Sequence, residues 1–124
     1  MRRPSYKELE NKIREARRAV REGRVLILEQ EAVAADAIHL GYLVETELLE
    51  VLRGILDETS PGHYAGTRPP QRSYERQIEG LELLSFTVAS ARFGCRVYCK
   101  FALTQEVFWL VSLHQERKSK KESS

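Results

Sequence analysis

Between Gly94 and Gln115 the chain reads "GCRVYCKFALTQEVFWLVSLHQ", and this stretch holds most of the side chains able to do chemistry together. Arg96, Tyr98 and Lys100 alternate with Val97, Cys99 and Phe101, and His114 ends the next apolar run. A phenol or an imidazole can move protons, and a guanidinium or ammonium neutralises charge that builds on a phosphoryl group. Tyr and His rings can also stack on a nucleobase. The combination suits a phosphodiester. Arg, Lys and Tyr are equally ordinary occupants of a solvated antiparallel face, so the residue types alone leave both readings open.

Whether these groups meet depends on strand pairing. Side chains alternate across a strand, so Val97, Cys99 and Phe101 form one side and Arg96, Tyr98 and Lys100 the other. In "VFWLVSLH" the residues Val107, Trp109, Val111 and Leu113 match a core side, and Phe108, Leu110, Ser112 and His114 alternate with them. Core meets core only if the connection holds an odd number of residues. Thr104-Gln105-Glu106 as a three-residue loop places Tyr98 opposite Ser112 and diagonal to His114. A two-residue turn places Tyr98 opposite Val111 and mixes the faces. The three-residue loop is the expectation.

A second group of polar residues sits in "TSPGHYAGTRPPQRSYERQIEG", residues 59–80, with three of the four prolines and three of the seven glycines. No helix or strand period survives there. Loops of this length in compact domains are functional or disordered. His63, Tyr64, Arg68, Arg72 and Gln77 are the candidate substrate-binding residues it carries.

The elements that must position these groups follow from periodicity. Ser5 and Glu8 form a capping-box pattern ahead of the stripe Tyr6, Leu9, Ile13, Ala16 and Val20, with Gly23 as the stop. "RVLIL" is a brief strand or a buried turn. "EQEAVAADAIHLG" predicts a second helix with His39 in its last turn and Gly41 after it, where Asp36 and His39 read as surface or capping residues. "TELLEVLRGILDE" predicts a third, with Leu48, Leu49, Val51, Leu52, Ile55 and Leu56 as a wide apolar face. After Gly80 the period drops to two, giving three strands joined by short turns, an antiparallel meander. Helices first and strands afterwards is an α+β order: N-terminal helices packed on a C-terminal antiparallel sheet of at least three strands. Cys95 and Cys99 lie roughly 13 Å apart along one strand, beyond disulfide reach, and read as reduced thiols. No His or Cys pairing has metal-site spacing, so neither metal nor cofactor is expected.

At 124 residues, 42% hydrophobic and 31% charged, the chain is expected to be one globular domain, residues 1–116. No apolar run approaches the roughly 18 residues of a membrane span, and "MRRPSYKELENK" lacks the apolar segment of a secretion signal, which gives a cytoplasmic expectation. The net charge of +2 says little. Its distribution says more: Arg2, Arg3, Lys7, Lys12, Arg14, Arg17, Arg18, Arg21 and Arg24 crowd the N-terminus, and acids gather between Glu29 and Glu58. That segregation fits a polyanionic partner, and solvated helix faces produce it as well. The basic, repeat-free tail 117–124 is expected to be disordered.

Three stretches resemble the MqsR toxins of the RelE-like bacterial mRNA interferases: "ARRAVREGRVLILEQEAVAADAIHLGY", "LLEVLRGILDETSPGHY" and "RVYCKFALTQEVFWLVSLHQE". The resemblance spans Ala16 to Glu116 through loose motifs. It implies a RelE-like α+β fold and metal-independent endoribonuclease activity, in which a ribose 2′-hydroxyl attacks the adjacent phosphate. RNA, free or on the ribosome, and a cognate antitoxin are the implied partners, with self-association left open. Tyr98 matches the family's active-site tyrosine and Lys100 the lysine two positions on. His114 stands where the family has a lysine, and Arg96 adds a cation beside them. Ala65 replaces the lysine that follows the aromatic segment, with Arg68 or His63 as substitutes. Gln77 is the nearest match to the family's glutamine, and 59–80 is an insertion. A non-catalytic RNA- or protein-binding module on the same scaffold is the alternative.

Overall fold

The computed structural model describes residues 5–67 and 70–117. Helix α1 (Tyr6–Arg21) begins at the expected capping box: the Glu8 amide donates to Ser5 Oγ and the Ser5 amide to Glu8 Oε1. Leu9, Ile13, Ala16, Ala19 and Val20 are buried, whereas Tyr6, at the frayed end of the stripe, is 67% exposed. Gly23 at φ +77° supplies the left-handed residue that ends the helix. Strand β1 (Val25–Ile27), helix α2 (Gln30–Leu40) and helix α3 (Val44–Asp57) follow. Within α3 the buried face is Leu48, Val51, Leu52, Ile55 and Leu56, and Leu49 turns outward.

Strands β2 (Leu84–Ser90), β3 (Cys95–Thr104) and β4 (Val107–Gln115) form the expected antiparallel meander. Strand β1 adds a parallel partner on the outer edge of β4, so the four-stranded sheet is mixed, in the order β1-β4-β3-β2. This settles "RVLIL" as a strand. Its edge position is sealed by Phe108 N–H to the Arg24 carbonyl and Leu28 N–H to the Leu110 carbonyl, each 2.9 Å.

All three helices pack on one face of the sheet. The core there is built on Phe86, Phe101 and Phe108, whose rings stack with centroids 5.9 and 4.6 Å apart. The resulting α+β architecture leaves the other face of β2, β3 and β4 without a helix. Cys99 lies in the core, where burial pushes its thiol up to about 12, and Cys95 is half-buried and unbonded.

Segment 59–80 is neither a strand nor a featureless loop. Two 3-10 turns, Pro61–His63 and Arg76–Ile78, frame isolated bridges that join Tyr64 to Phe86 and Arg72 to Glu82. Ile78 is 1% exposed, an apolar plug that gives this proline-rich stretch an anchor. The segment therefore lines the outer edge of β2, which would otherwise offer unpaired amides.

Candidate functional site

The connection between β3 and β4 departs from the expected three-residue loop. Thr104 pairs with Val107, so Gln105 and Glu106 alone form the turn, both at positive φ as a type I′ turn requires. Faces would mix, but a bulge corrects them: Phe101 pairs with Leu110 and Lys100 with Ser112, leaving Val111 as the extra residue. Before the bulge Phe108 and Leu110 face the core, after it Leu113 does. One inserted residue restores the parity, and Tyr98 pairs directly with His114 rather than with Ser112.

Three cross-strand rows consequently cover the helix-free face: Ser85, Lys100 and Ser112; Thr87, Tyr98 and His114; Ala89, Arg96 and Glu116. In the middle row the Tyr98 and His114 rings stack, centroids 5.1 Å apart and 24° from parallel. His114 Nδ1 lies 2.8 Å from the Gln115 carbonyl oxygen. A carbonyl only accepts, so Nδ1 carries the proton of the neutral ring and Nε2 is left as its acceptor. Tyr98, Lys100, Ser112 and His114 line an open cleft of about 440 Å³ with Ala65, Thr87, Glu116 and Arg117. Among the described residues no carboxylate lies within ion-pair distance of Lys100, which leaves its ammonium available to an anion.

Arg96 shares the face but not the cleft. Its Nε donates to Glu116 Oε1 at 2.9 Å, which partly neutralises it and holds Glu116 at the cleft rim. Arg117, which belongs to the tail expected to be disordered, also lines the cleft and stands 3.9 Å from Asp36. The remaining tail residues, 118–124, lie outside the described residues.

The four described loop candidates do not line this cleft. His63 Nδ1 accepts from the Ser60 amide at 3.0 Å and caps its own turn. Tyr64 packs edge-on against core residue Phe86, and its hydroxyl donates to the Thr67 carbonyl. Arg72 donates to the Gly80 carbonyl at 2.7 Å, closing the segment on itself. Gln77 is exposed on the second 3-10 turn. Arg68 lies outside the described residues. Among the described residues of the segment, Ala65 alone enters the cleft wall, tied by its amide to the Ser85 carbonyl at 2.8 Å. Glu116 and Arg117 were missed in the sequence; carrying the alternation of β4 two residues past His114 would have found Glu116.

No family model matches the chain, and no curated protein matches it significantly.

Proposed function

We propose that this protein is a toxin-type endoribonuclease, an mRNA interferase of a bacterial toxin–antitoxin system, and that the cleft around Tyr98 and His114 cuts RNA. The observation that carries the reading is the stacked Tyr98–His114 pair in an open cleft beside the Lys100 ammonium, which has no carboxylate within ion-pair distance among the described residues. The resemblance of "RVYCKFALTQEVFWLVSLHQE" to MqsR strands supports the same choice.

In this reading His114 Nε2 takes the proton of a ribose 2′-hydroxyl while that oxygen attacks the adjacent phosphorus. The P–O2′ bond forms and the P–O5′ bond breaks. The Tyr98 hydroxyl gives its proton to the departing 5′-oxygen, and proton return from His114 through solvent restores the phenol. The products are a 2′,3′-cyclic phosphate and a 5′-hydroxyl. Lys100 and Arg117 offset the charge that builds on the phosphorane oxygens, and Glu116 tempers Arg96 at the rim. Each proton transfer contributes about 10²- to 10⁴-fold.

The purified protein is therefore expected to cut a mixed-sequence RNA, alone or with ribosomes, and to arrest growth when induced. Tyr98→Phe and His114→Ala should each lower the cleavage rate by about 10²-fold or more with unchanged circular dichroism. Intact RNA after prolonged incubation with the wild-type protein, with and without ribosomes, overturns the reading. Salt-dependent RNA binding without cleavage would instead select the non-catalytic module.

A further inference from the structure

The cleft uses none of the cations that crowd the N-terminus, and the fold sorts those cations into distinct jobs. Arg17 is spent inside the molecule: its Nε and Nη2 donate to the Leu56 and Thr59 carbonyls at 2.9 and 3.1 Å. Arg24 is held by Glu22 and by the carbonyl of Glu106. Of the other described cations Lys12 is half-buried, and Lys7, Arg14, Arg18 and Arg21 are exposed, at spacings of seven, four and three residues. On a helix with 3.6 residues per turn those positions share one face, within an arc of about 60°. Exposed Glu10 and Asn11 flank the stripe, and Asn11 Oδ1 accepts from Arg14 at 3.0 Å. The ridge runs for about 21 Å at 1.5 Å per residue.

Two nearby carboxylates are engaged elsewhere, whereas Glu10 flanks the stripe one turn before Arg14 and Glu15 lies beside Arg18. Glu8 is committed to the helix cap and Glu22 to Arg24. Among the described residues none of the four ridge cations has a carboxylate within ion-pair distance. Arg14–Arg18 and Arg18–Arg21 are like-charge neighbours that weaken a helix, a cost that Arg18 and Arg21 offset in the last turn by complementing the helix dipole, so the ridge adds little to folding. Beside it, between α1 and the β3–β4 turn, lies a depression of about 260 Å³ lined by Asn11, Arg14, Glu15, Arg18, Arg24 and Glu106. That is room for a sugar or a base next to a line of phosphates.

We infer that the outer face of α1 is a second, non-catalytic docking surface for the phosphate backbone of single-stranded RNA. Helices cover one face of the sheet and the cleft opens on the other, so the ridge engages a stretch of RNA distinct from the one in the cleft. The choice of RNA as the polyanion rests on the reading of the cleft; the ridge as an anion surface does not. Four cations on phosphates release counterions, and affinity then falls steeply with salt.

The test uses a fluorescent RNA about 20 nucleotides long with 2′-O-methyl riboses, which cannot undergo 2′-hydroxyl attack, so binding is read whether or not the cleft is active. Anisotropy across a salt series is expected to show the triple variant Arg14→Gln/Arg18→Gln/Arg21→Gln binding at least tenfold more weakly at about 0.1 M salt. Its plot of log affinity against log salt should be shallower by about 2, at about 0.7 per lost phosphate contact. The corresponding triple Arg→Lys variant should keep most of the binding, because charge carries the contact. Should the Gln variant misfold, single Arg18→Glu serves, with an expected loss of severalfold. Equal affinity and equal slope in wild type and Gln variant overturn the inference. So does ridge-dependent binding to phosphatidylserine vesicles with none to RNA. Ridge-dependent RNA binding by a protein that never cuts RNA upholds it and removes only the proposed catalysis.

Discussion

The Tyr42 hydroxyl is sealed in the core end of α2 and α3, 4% exposed and without a hydrogen-bond partner among the described residues. Burial pushes its phenol up to about 12, and the nearby Cys99 and Asp36 add to the shift. Cys99 moves the same way, from 9.0 to about 12, through burial alone. Both groups keep their protons in the folded chain at a pH where the unfolded chain has released them. Their contribution to stability is therefore complete below pH 9 and is lost as pH rises from 9 and 10, the ordinary values, toward about 12. Tyr42→Phe retains the ring contact with Phe93 and removes the orphan hydroxyl. Urea unfolding should show it more stable than wild type by about 1 kcal/mol near neutrality, with a shallower decline above pH 10. A variant that loses stability at neutral pH would mean that the hydroxyl has a partner in solution.

At the scale of elements, the β3–β4 hairpin sets the site, and it does so at a cost. Gln105 and Glu106 hold φ of +45° and +70°, a conformation that Asn and Gly adopt far more readily. Arg24 steadies the turn from outside, its Nε donating to the Glu106 carbonyl at 2.8 Å. That bond uses backbone and survives substitution, whereas the exposed Arg24–Glu106 ion pair contributes little. Gln105→Asn combined with Glu106→Gly should raise unfolding free energy by about 1 kcal/mol and leave the Tyr98–His114 pairing intact, checked by denaturation and by cross-strand NMR contacts. A loss of stability would argue against the two-residue turn. The same hairpin marks how far the sequence can be read. Alternation alone puts Tyr98 and His114 on one face, because an odd loop and an even turn with one bulge satisfy the same parity. It cannot choose between them: in "LVSL" Ser112 is the one polar residue, and no glycine marks the bulge at Val111. The helices were legible from local signals: the capping box and stripe of α1, Gly41 at the end of α2, and the wide apolar face of α3. Three residues of β1 were not, since a parallel edge partner more than 80 positions away leaves no periodic trace. Nor did the loop residues betray their structural bonds, for His63, Tyr64 and Arg72 look the same in sequence whether they grip a substrate or their own backbone.

Taken as a whole, the molecule places its arginines in two roles that composition cannot distinguish, and Arg17 is the one that ties separate parts together. Its guanidinium spans the C-terminal end of α3 and the entry to segment 59–80, bonding to the Leu56 carbonyl, which also accepts from the Thr59 amide, and to the Thr59 carbonyl just past the helix. A cation there also complements the helix dipole. One side chain thus fastens α1 to α3 and to the segment that seals the β2 edge and supplies Ala65 to the cleft. Arg17→Met keeps the aliphatic packing and removes both bonds, leaving the Thr59 carbonyl to find solvent and the Leu56 carbonyl with the Thr59 amide alone. The expected loss is about 2 kcal/mol in urea unfolding. Arg17→Lys should recover little, because an ammonium on a flexible stem does not reproduce the two-pronged geometry. Arg14→Gln, Arg18→Gln and Arg21→Gln, by contrast, should each change stability by less than about 0.5 kcal/mol, because all three are exposed and their contacts along the helix, Arg14 to Asn11 included, are surface ones. If Arg17→Met unfolds no more easily than these three, the fastening is not made in solution, and α1 carries one class of arginine rather than two.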